Sequence, residues 1–403
     1  MDIILYAVPG FLLLIVLELI AEKVRGTDYY RLNDALTSLA TGSLSQLQKV
    51  VELMVPFTIY IVVYENYAFF SLPESPIVWV LAFIAYDLSY YWLHRFAHEI
   101  NILWAAHVIH HSSEEYNLTT ALRQTSSGFL GFIFYMPMAL LGFNPLMVLT
   151  VGALNLIYQY WVHTRHIGKL GWYELFFVTP SNHRVHHAQN GVYIDRNYGG
   201  VFILWDRWFG TFQEELDEAP VIFGIRGAIK SWNPVWANVQ IYTQLIKDCF
   251  HTKSWWYKIT IWFRRTGWRP PDVINQYPLI KTDLDNFKKF DTQLSFKTKL
   301  YAVLQYTINA GVGIAVIINL DKLLLWQESL IILFVIFSSY SLGTILEKRV
   351  FAPKLEFFKN TLFIAFLLSL FTANIFVVSG AIMSALCIGM LLSNLEPKSV
   401  QTV

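Results

Sequence analysis

The sequence predicts an all-α, polytopic integral membrane protein, with about nine transmembrane helices and a histidine-rich cap on the cytoplasmic side. Three observations carry that prediction. Of the 403 residues, 55% are hydrophobic and only 15% charged, a balance unlike that of soluble domains. Apolar stretches close to the roughly 20 residues needed to cross a hydrocarbon core recur along the chain. The short loops between them alternate between Lys/Arg-rich and Lys/Arg-free, the pattern that sets orientation during insertion.

The first apolar stretch, at about 3 to 21, follows Met1-Asp2-Ile3-Ile4. That start lacks the basic region of a cleaved signal peptide, so the stretch is expected to stay as the first helix. Lys23, Arg25 and Arg31 come next and mark an inner loop. Further stretches at about 38 to 63 and 76 to 93 enclose the loop from Tyr64 to Ser75, which has Glu65 and Glu74 but no Lys or Arg and is placed outside. A shorter pair follows at about 127 to 142 and 145 to 162; were it re-entrant, the span count would change but not the sidedness. A polar stretch, about 163 to 296, lies inside. Four more apolar stretches, at about 299 to 319, 325 to 343, 361 to 376 and 378 to 394, complete the set, with Lys348, Arg349, Lys354 and Lys359 marking another inner loop and Lys398 following the last span. Three regions result: N-terminal transmembrane helices in 1–75, a histidine-bearing region in 76–296, and C-terminal transmembrane helices in 297–403.

A net charge of +1 supplies no basic excess for nucleic acid. Cys249 and Cys387 are too few for a disulfide framework or a thiolate cluster, so any metal is bound without sulfur. Trp and Tyr gather near span ends and in Ser254-Trp255-Trp256-Tyr257-Lys258, as interfacial anchors do. Asn117-Leu118-Thr119 matches a glycosylation sequon but falls on the predicted cytoplasmic side.

The chemistry lies in the histidines. Ten of the eleven fall in four boxes: His94-Arg95-Phe96-Ala97-His98, His107-Val108-Ile109-His110-His111, His163-Thr164-Arg165-His166 and His183-Arg184-Val185-His186-His187. On a helix, residues three and four apart share a face, so each box can aim several imidazoles at one point. A lone histidine in an apolar stretch is usually a hydrogen-bonded core residue, and His251 is read that way. Ten within 94 positions at repeated helical spacings are not. Neutral imidazole suits iron, zinc, copper and nickel, and the absence of thiolates and of ExxH pairs separates the pattern from structural zinc sites and carboxylate-bridged bundles. Eight to ten nitrogen donors at four or five per ion imply two metals.

Asp87 precedes His94 by two helical turns, and a carboxylate inside a span requires a partner; it is expected to accept the second N–H of a ligand imidazole or to bond a neighbouring Ser or Tyr. Glu99, Glu114 and Glu115 flank the first two boxes as candidate ligands, supporting groups or contacts to a polar cofactor. Asp195, Arg196, Asn197 and Tyr198 follow the last box, and Trp205, Asp206 and Arg207 come soon after, with supporting or substrate-facing roles or a surface turn as the alternatives. From these, Asp87, Glu114, Asn197 and Asp206 are taken as catalytic candidates.

With these boxes in view, the chain resembles the fatty acid hydroxylase superfamily of membrane di-iron enzymes, marked by HxxxH, HxxHH and a second HxxHH. Within it, His94 to Glu99, Trp104 to His107, His110 to Glu114, Tyr116 to Gln124, Thr179 to His187, Ile194 to Gly200 and Trp205 to Phe212 are similar to the alkylglycerol monooxygenase branch, over about 80 to 215. The resemblance makes 76–296 the catalytic domain and implies metal ligation by His94, His98, His107, His110, His111, His183, His186 and His187, with His163 also at a ligand position. His166 and Asn182, which stands where animal members of the branch tend to have another histidine, leave the exact set open. The implied activity is an O2-dependent di-iron monooxygenase, with two Fe ions and tetrahydrobiopterin, that hydroxylates the ether-bearing carbon of an alkylglycerol. Membrane lipid, dioxygen and an external electron donor are the implied partners. A sterol, sphingolipid or fatty-acid hydroxylase or desaturase with the same centre is the alternative, and a histidine-lined metal transporter is disfavoured because the boxes lie at span ends rather than mid-membrane.

Overall fold

The computed structural model describes residues 3–318 and 325–370. Helices account for all its regular structure, and among the described residues pairing of extended backbone is confined to isolated bridges such as Ile100 with Arg265 and Phe177 with Phe202. In chain order the helices are α1 (Ile3–Arg25), α2 (Leu32–Met54), α3 (Pro56–Tyr67), α4 (Pro76–Glu99), α5 (Asn101–His111), α6 (Leu118–Ala121), α7 (Met136–Leu140), α8 (Pro145–Trp161), α9 (Pro180–His186), α10 (Leu204–Phe209), α11 (Pro234–His251), α12 (Trp255–Thr260), α13 (Pro271–Ile274), α14 (Phe296–Ile318), α15 (Leu325–Leu346) and α16 (Ala352–Leu370). Short 3-10 turns, among them Gly128–Tyr135 and Gly171–Leu175, link some of them.

Residues sort into two compact units. The first comprises Met1–Arg31, Ser45–Ile229 and Asn238–Lys289 and contains every histidine box. Its local structure follows from its capping residues. Ser75 caps α4 with Pro76 at the first helical position, where a missing N–H costs nothing. Asn117 and Thr120 form a reciprocal capping box at α6, as Thr179 and Asn182 do at α9. The chain reverses between α4 and α5 at one extended residue, Ile100. Asn101 fixes that reversal: its amide donates to the carbonyls of Ile261 and Trp268 (2.9 and 3.1 Å), and its side-chain oxygen accepts from Gly267 N–H. The first two boxes are thereby brought side by side.

The second unit comprises Leu32–Leu44, Lys230–Ala237 and Phe290–Val403. Its core gathers Leu36, Ala40, Trp232, Tyr301, Leu342 and Leu346. Gly343 permits the helix to meet other backbone there, since a Cβ would lie 2.6 Å from Asn233 Cα. Lys354 and Lys359, counted above among the loop cations, lie inside α16, Lys354 in its first turn and Lys359 buried against Glu356 at 2.8 Å. Lys359 does not mark a loop.

Two described segments, Pro76–Glu99 and Trp326–Leu346, are long and apolar enough to cross a membrane. Leu12, Leu13, Val16 and Ile20 of α1 and Trp79, Val80 and Leu81 of α4 leave wide apolar faces exposed, as lipid contact would allow and water would not. Two expected spans take other forms. The stretch at 38 to 63 is broken between Met54 and Pro56, because proline lacks the N–H that would continue α2 and its ring collides with the preceding turn. The stretch at 127 to 142 is a 3-10 turn followed by the short α7, too short to span about 30 Å. The expected span at 361 to 376 begins in α16 and runs past the described residues, and the one at 378 to 394 lies outside them.

Candidate metal centre

All nine histidines expected as ligands converge, and they divide into two groups: His94, His98, His107, His111 and His186, and then His110, His163, His183 and His187. Within each group the imidazole nitrogens lie within 4.8 Å of one another. Helical geometry explains the sorting. Residues four apart point to one side of a helix, so His94 with His98, His107 with His111, and His183 with His187 each serve a single group. The remaining member of each HxxHH box, His110 or His186, points to the other. Boxes two and four thus bridge both groups, and the rings of His111 and His187, one from each, stack at 4.3 Å.

The polar environment settles which nitrogen carries the proton. The Nδ1–H of His94 donates to Tyr198 O (2.8 Å), that of His110 to Arg123 O (3.1 Å), that of His163 to Gln159 O (2.8 Å) and that of His186 to Arg196 O (2.9 Å). A carbonyl oxygen only accepts, so in these rings Nε2 holds a bare lone pair. His110 Nε2 nevertheless lies 3.2 Å from His163 Nε2. Two lone pairs at that distance repel unless a cation lies between them. The other contacts, His94 to His107 and His107 to His111 at 3.0 Å, His98 and His186 to His111 at 3.1 Å, His183 to His163 at 3.1 Å and to His187 at 3.2 Å, repeat the spacing. Nitrogens about 2.1 Å from a first-row ion, at angles of about 90–100°, stand about 3.0–3.2 Å apart. The nine donors therefore fit two metal ions. Burial keeps these rings neutral, as ligands must be: it holds His107, His111, His183, His186 and His187 well below the ordinary imidazole range, and His110 is brought down to about 4.

Behind the histidines lies a turn clamped by two aspartates. Asp206 accepts from Tyr198 N–H (2.7 Å), Gly199 N–H (2.8 Å) and the Thr211 hydroxyl (2.6 Å). Asp87 accepts from Asn155 (2.6 Å), Val201 N–H (2.8 Å), Phe202 N–H (3.0 Å) and the Trp205 indole (2.8 Å). Both carboxylates are fully buried. Glycine is required between them: a Cβ on Gly200 would lie 2.8 Å from Asp87 Oδ1, and one on Gly199 would lie 2.5 Å from Phe202 O. The expectation that Asp87 accepts an imidazole N–H is corrected here. Its four donors saturate it, and the acceptor for His94 is the Tyr198 carbonyl.

The structure places the other catalytic candidates outside the two donor groups themselves. Asn197, at φ +56°, ties the fourth box to the segment beyond α10: its amide donates to Asn182 O (3.0 Å) and Gln213 O (2.7 Å), and its oxygen accepts from Gln213 N–H (2.8 Å). Glu114 belongs to neither histidine group and lies beside Gly224. Glu115 is buried in ion pairs with Arg31 (2.8 Å) and Lys289 (2.6 Å). Glu99 pairs with Arg95 at 3.0 Å. His166 falls outside both groups, its ring 5.0 Å from that of Tyr29, and His251 stacks on Tyr277 at 3.9 Å. Asn182 closes the capping box of α9. Sequence reading missed Glu18, buried in α1, which accepts from Leu118 N–H at 2.8 Å and the Thr164 hydroxyl at 2.5 Å. The signal was present, since an acid inside an apolar run needs a partner as Asp87 does.

A family model of fatty acid hydroxylases matches residues 79–211, the segment that holds all four boxes and both aspartates. An alkylglycerol monooxygenase of Homo sapiens is 36% identical over 371 residues, covering 90% of this chain and 82% of that protein. One of Danio rerio is 37% identical over 364 residues, covering 88% and 80%. An ornithine lipid hydroxylase of Rhizobium tropici is 28% identical over 158 residues, covering 37% and 46%. No solved structure matches the chain.

Proposed function

The chain belongs to the alkylglycerol monooxygenase family of the fatty acid hydroxylase superfamily, and from that premise we propose that it cleaves the O-alkyl ether bond of alkylglycerols oxidatively. It is an oxygen-dependent oxidoreductase acting on lipid. The single observation that carries the reading is the division of nine neutral histidines, eight buried and His107 partly so, into two donor groups. We infer that His94, His98, His107, His111 and His186 hold one iron and His110, His163, His183 and His187 the other. Bound there, iron supplies the activation of dioxygen that no side chain can.

The chain's own contribution is preorganisation. Tyr198, Arg123, Gln159 and Arg196 carbonyls fix four imidazoles with Nε2 turned inward, at no reorganisation cost when metal binds. Asp87, Asp206 and Asn197 act as positioning residues on that scaffold. Burial excludes water that would compete for the reactive position. One oxygen atom enters the C–H bond next to the ether oxygen while the other leaves as water, using two electrons and two protons. The hemiacetal so formed collapses to a fatty aldehyde and the free glycerol hydroxyl. Tetrahydrobiopterin, as external electron donor, completes the balance.

We place residues 76–296 as the catalytic domain of a multi-pass membrane protein, with the boxes on the cytoplasmic side; the stretch at 127 to 142, too short to span, brings the count below the nine expected from the sequence. The cations Lys23 and Arg25 in the last turn of α1, and Arg31 just after it, support that orientation. The test is incubation of the purified iron-loaded protein with an alkylglycerol, dioxygen and reduced pterin. Fatty aldehyde is the expected product; oxidation of a sterol, sphingolipid or fatty acid without aldehyde overturns the assignment.

A further inference from the structure

The N-terminal helix lies outside the segment that matches the fatty acid hydroxylase family, yet it carries a buried carboxylate. Glu18 is 6% exposed, on a helix whose neighbours Val16, Leu19 and Ile20 are exposed apolar residues. A carboxylate in such a run is costly unless its lone pairs are taken. Three donors take them: the backbone N–H of Leu118 (2.8 Å), the hydroxyl of Thr164 (2.5 Å) and the hydroxyl of Tyr30.

The first two donors lead to one metal group. Thr164 follows His163 directly. Leu118 opens α6, and the chain leaving α6 reaches Arg123, whose carbonyl receives the Nδ1–H of His110 at 3.1 Å. His163 and His110 both belong to the four-histidine group, and their Nε2 atoms stand 3.2 Å apart. No donor to Glu18 adjoins a member of the five-histidine group. Neighbouring contacts point the same way: Asn117 donates to Tyr29 O at 2.8 Å, and Arg25 to His166 O at 2.8 Å. The backbone supports of the five-histidine group, Tyr198 O and Arg196 O, lie in a different loop.

We propose that Glu18 is a positioning residue for the four-histidine group alone, so that α1 governs the occupancy of one metal position and leaves the other unchanged. Replacing the carboxylate by an amide keeps its size but leaves one acceptor oxygen where three donors converge, and it turns an N–H toward at least one of them. His163 and His110 then lose a common anchor. Loss of a group that orients metal ligands costs about 10–100-fold in affinity.

The inference rests on the reading that both groups bind metal, and the experiment separates the two. The full-length protein, purified in nanodiscs, is loaded with Co2+ and dialysed, and retained metal is counted per chain for the wild type, Glu18→Gln, His163→Ala and the double variant. The wild type is expected to keep two equivalents and Glu18→Gln one, the second leaving at least tenfold faster. His163→Ala is expected to keep one, with no further loss on adding Glu18→Gln. Tyr160→Phe removes a different contact to α1, the bond to Phe11 O at 2.9 Å, and is expected to keep two. Glu18→Asp, which restores a carboxylate, is expected to recover part of the second equivalent. Retention of both ions by Glu18→Gln overturns the inference. So does equal loss of both, loss beyond His163→Ala in the double variant, or loss of an ion in Tyr160→Phe. A wild type that binds fewer than two ions instead overturns the underlying two-metal reading.

Discussion

His94 Nδ1 donates its proton to the carbonyl oxygen of Tyr198 at 2.8 Å, across 104 positions of sequence. That one bond selects the tautomer that faces Nε2 to the metal position, and it depends on a turn held by Asp206 on one side and Asp87 on the other. The first consequences concern that turn.

Gly200→Ala should displace it. The added Cβ would meet Asp87 Oδ1 and the Tyr90 ring at 2.8 Å, and a buried carboxylate with four donors cannot retreat. The expected cost is about 1–3 kcal/mol in stability, with metal affinity at the five-histidine group falling about tenfold as His94 loses its orientation. Thermal unfolding and metal titration of the purified variant check both; unchanged values would show that the turn does not set His94.

Asp87→Asn tests the clamp from the other end. Asparagine keeps the shape but presents an NH2 to donors that include Val201 N–H and the Trp205 indole, leaving at least one buried donor unpaired at about 1–3 kcal/mol. The protein should fold with a lower Tm and a lower kcat, while the KM for lipid stays near that of the wild type. A variant that altered KM alone would place Asp87 at the substrate instead.

How much of this was legible beforehand divides along physical lines. The pairs His94/His98, His107/His111 and His183/His187 could be read because helical periodicity is a local property. That His110 and His186 cross to the opposite group followed from the same angle, but only once the boxes were docked. The partner of Asp87 was misread because main-chain donors carry no residue-type signature and here come from more than a hundred positions away. Burial of Asp87 was nonetheless implied by its place in an apolar run. Glu18, an acid inside the apolar run of α1, carries the same signal. The break at Pro56 was visible in the residue itself, whereas the 3-10 form of Gly128–Tyr135 had no comparable marker.

Single histidine replacements should remove the ions one at a time. His98→Ala takes one donor from the five-histidine group and His183→Ala one from the four-histidine group. Each variant is expected to retain close to one metal equivalent after dialysis and to lose activity by at least 100-fold, because the reaction needs both. Loss of both ions from either variant would mean one shared cluster rather than two groups.

Acid should release the metals and destabilise the fold together. Burial depresses the imidazoles of His107, His111, His183, His186 and His187, and brings His110 to about 4. Unfolded histidine binds a proton near pH 6.5, so below that value the unfolded chain takes up protons that the folded chain refuses. The stabilisation is complete above about pH 6.5 and is lost as the pH falls toward the folded values. Asp206 acts in the opposite sense, since burial raises it to about 6 and its contribution is lost as the pH rises through that point. Asp195, also raised by burial, acts in the same sense as Asp206, and two carboxyls against six imidazoles leave the histidines dominant. Tm and bound metal measured from pH 8 to pH 4 should fall together below about pH 6.5; a Tm that rises over that range would contradict the assignment of neutral ligands.

The claim that the two histidine groups serve oxygenative ether cleavage is tested most directly by the origin of the aldehyde oxygen. The iron-loaded protein is given an alkylglycerol and reduced pterin under 18O2 in ordinary water, and the aldehyde is trapped at once by reduction to the alcohol. 18O is expected in the fatty product and none in the released glycerol. Fatty product without 18O, or 18O in the glycerol, would contradict hydroxylation at the ether-bearing carbon.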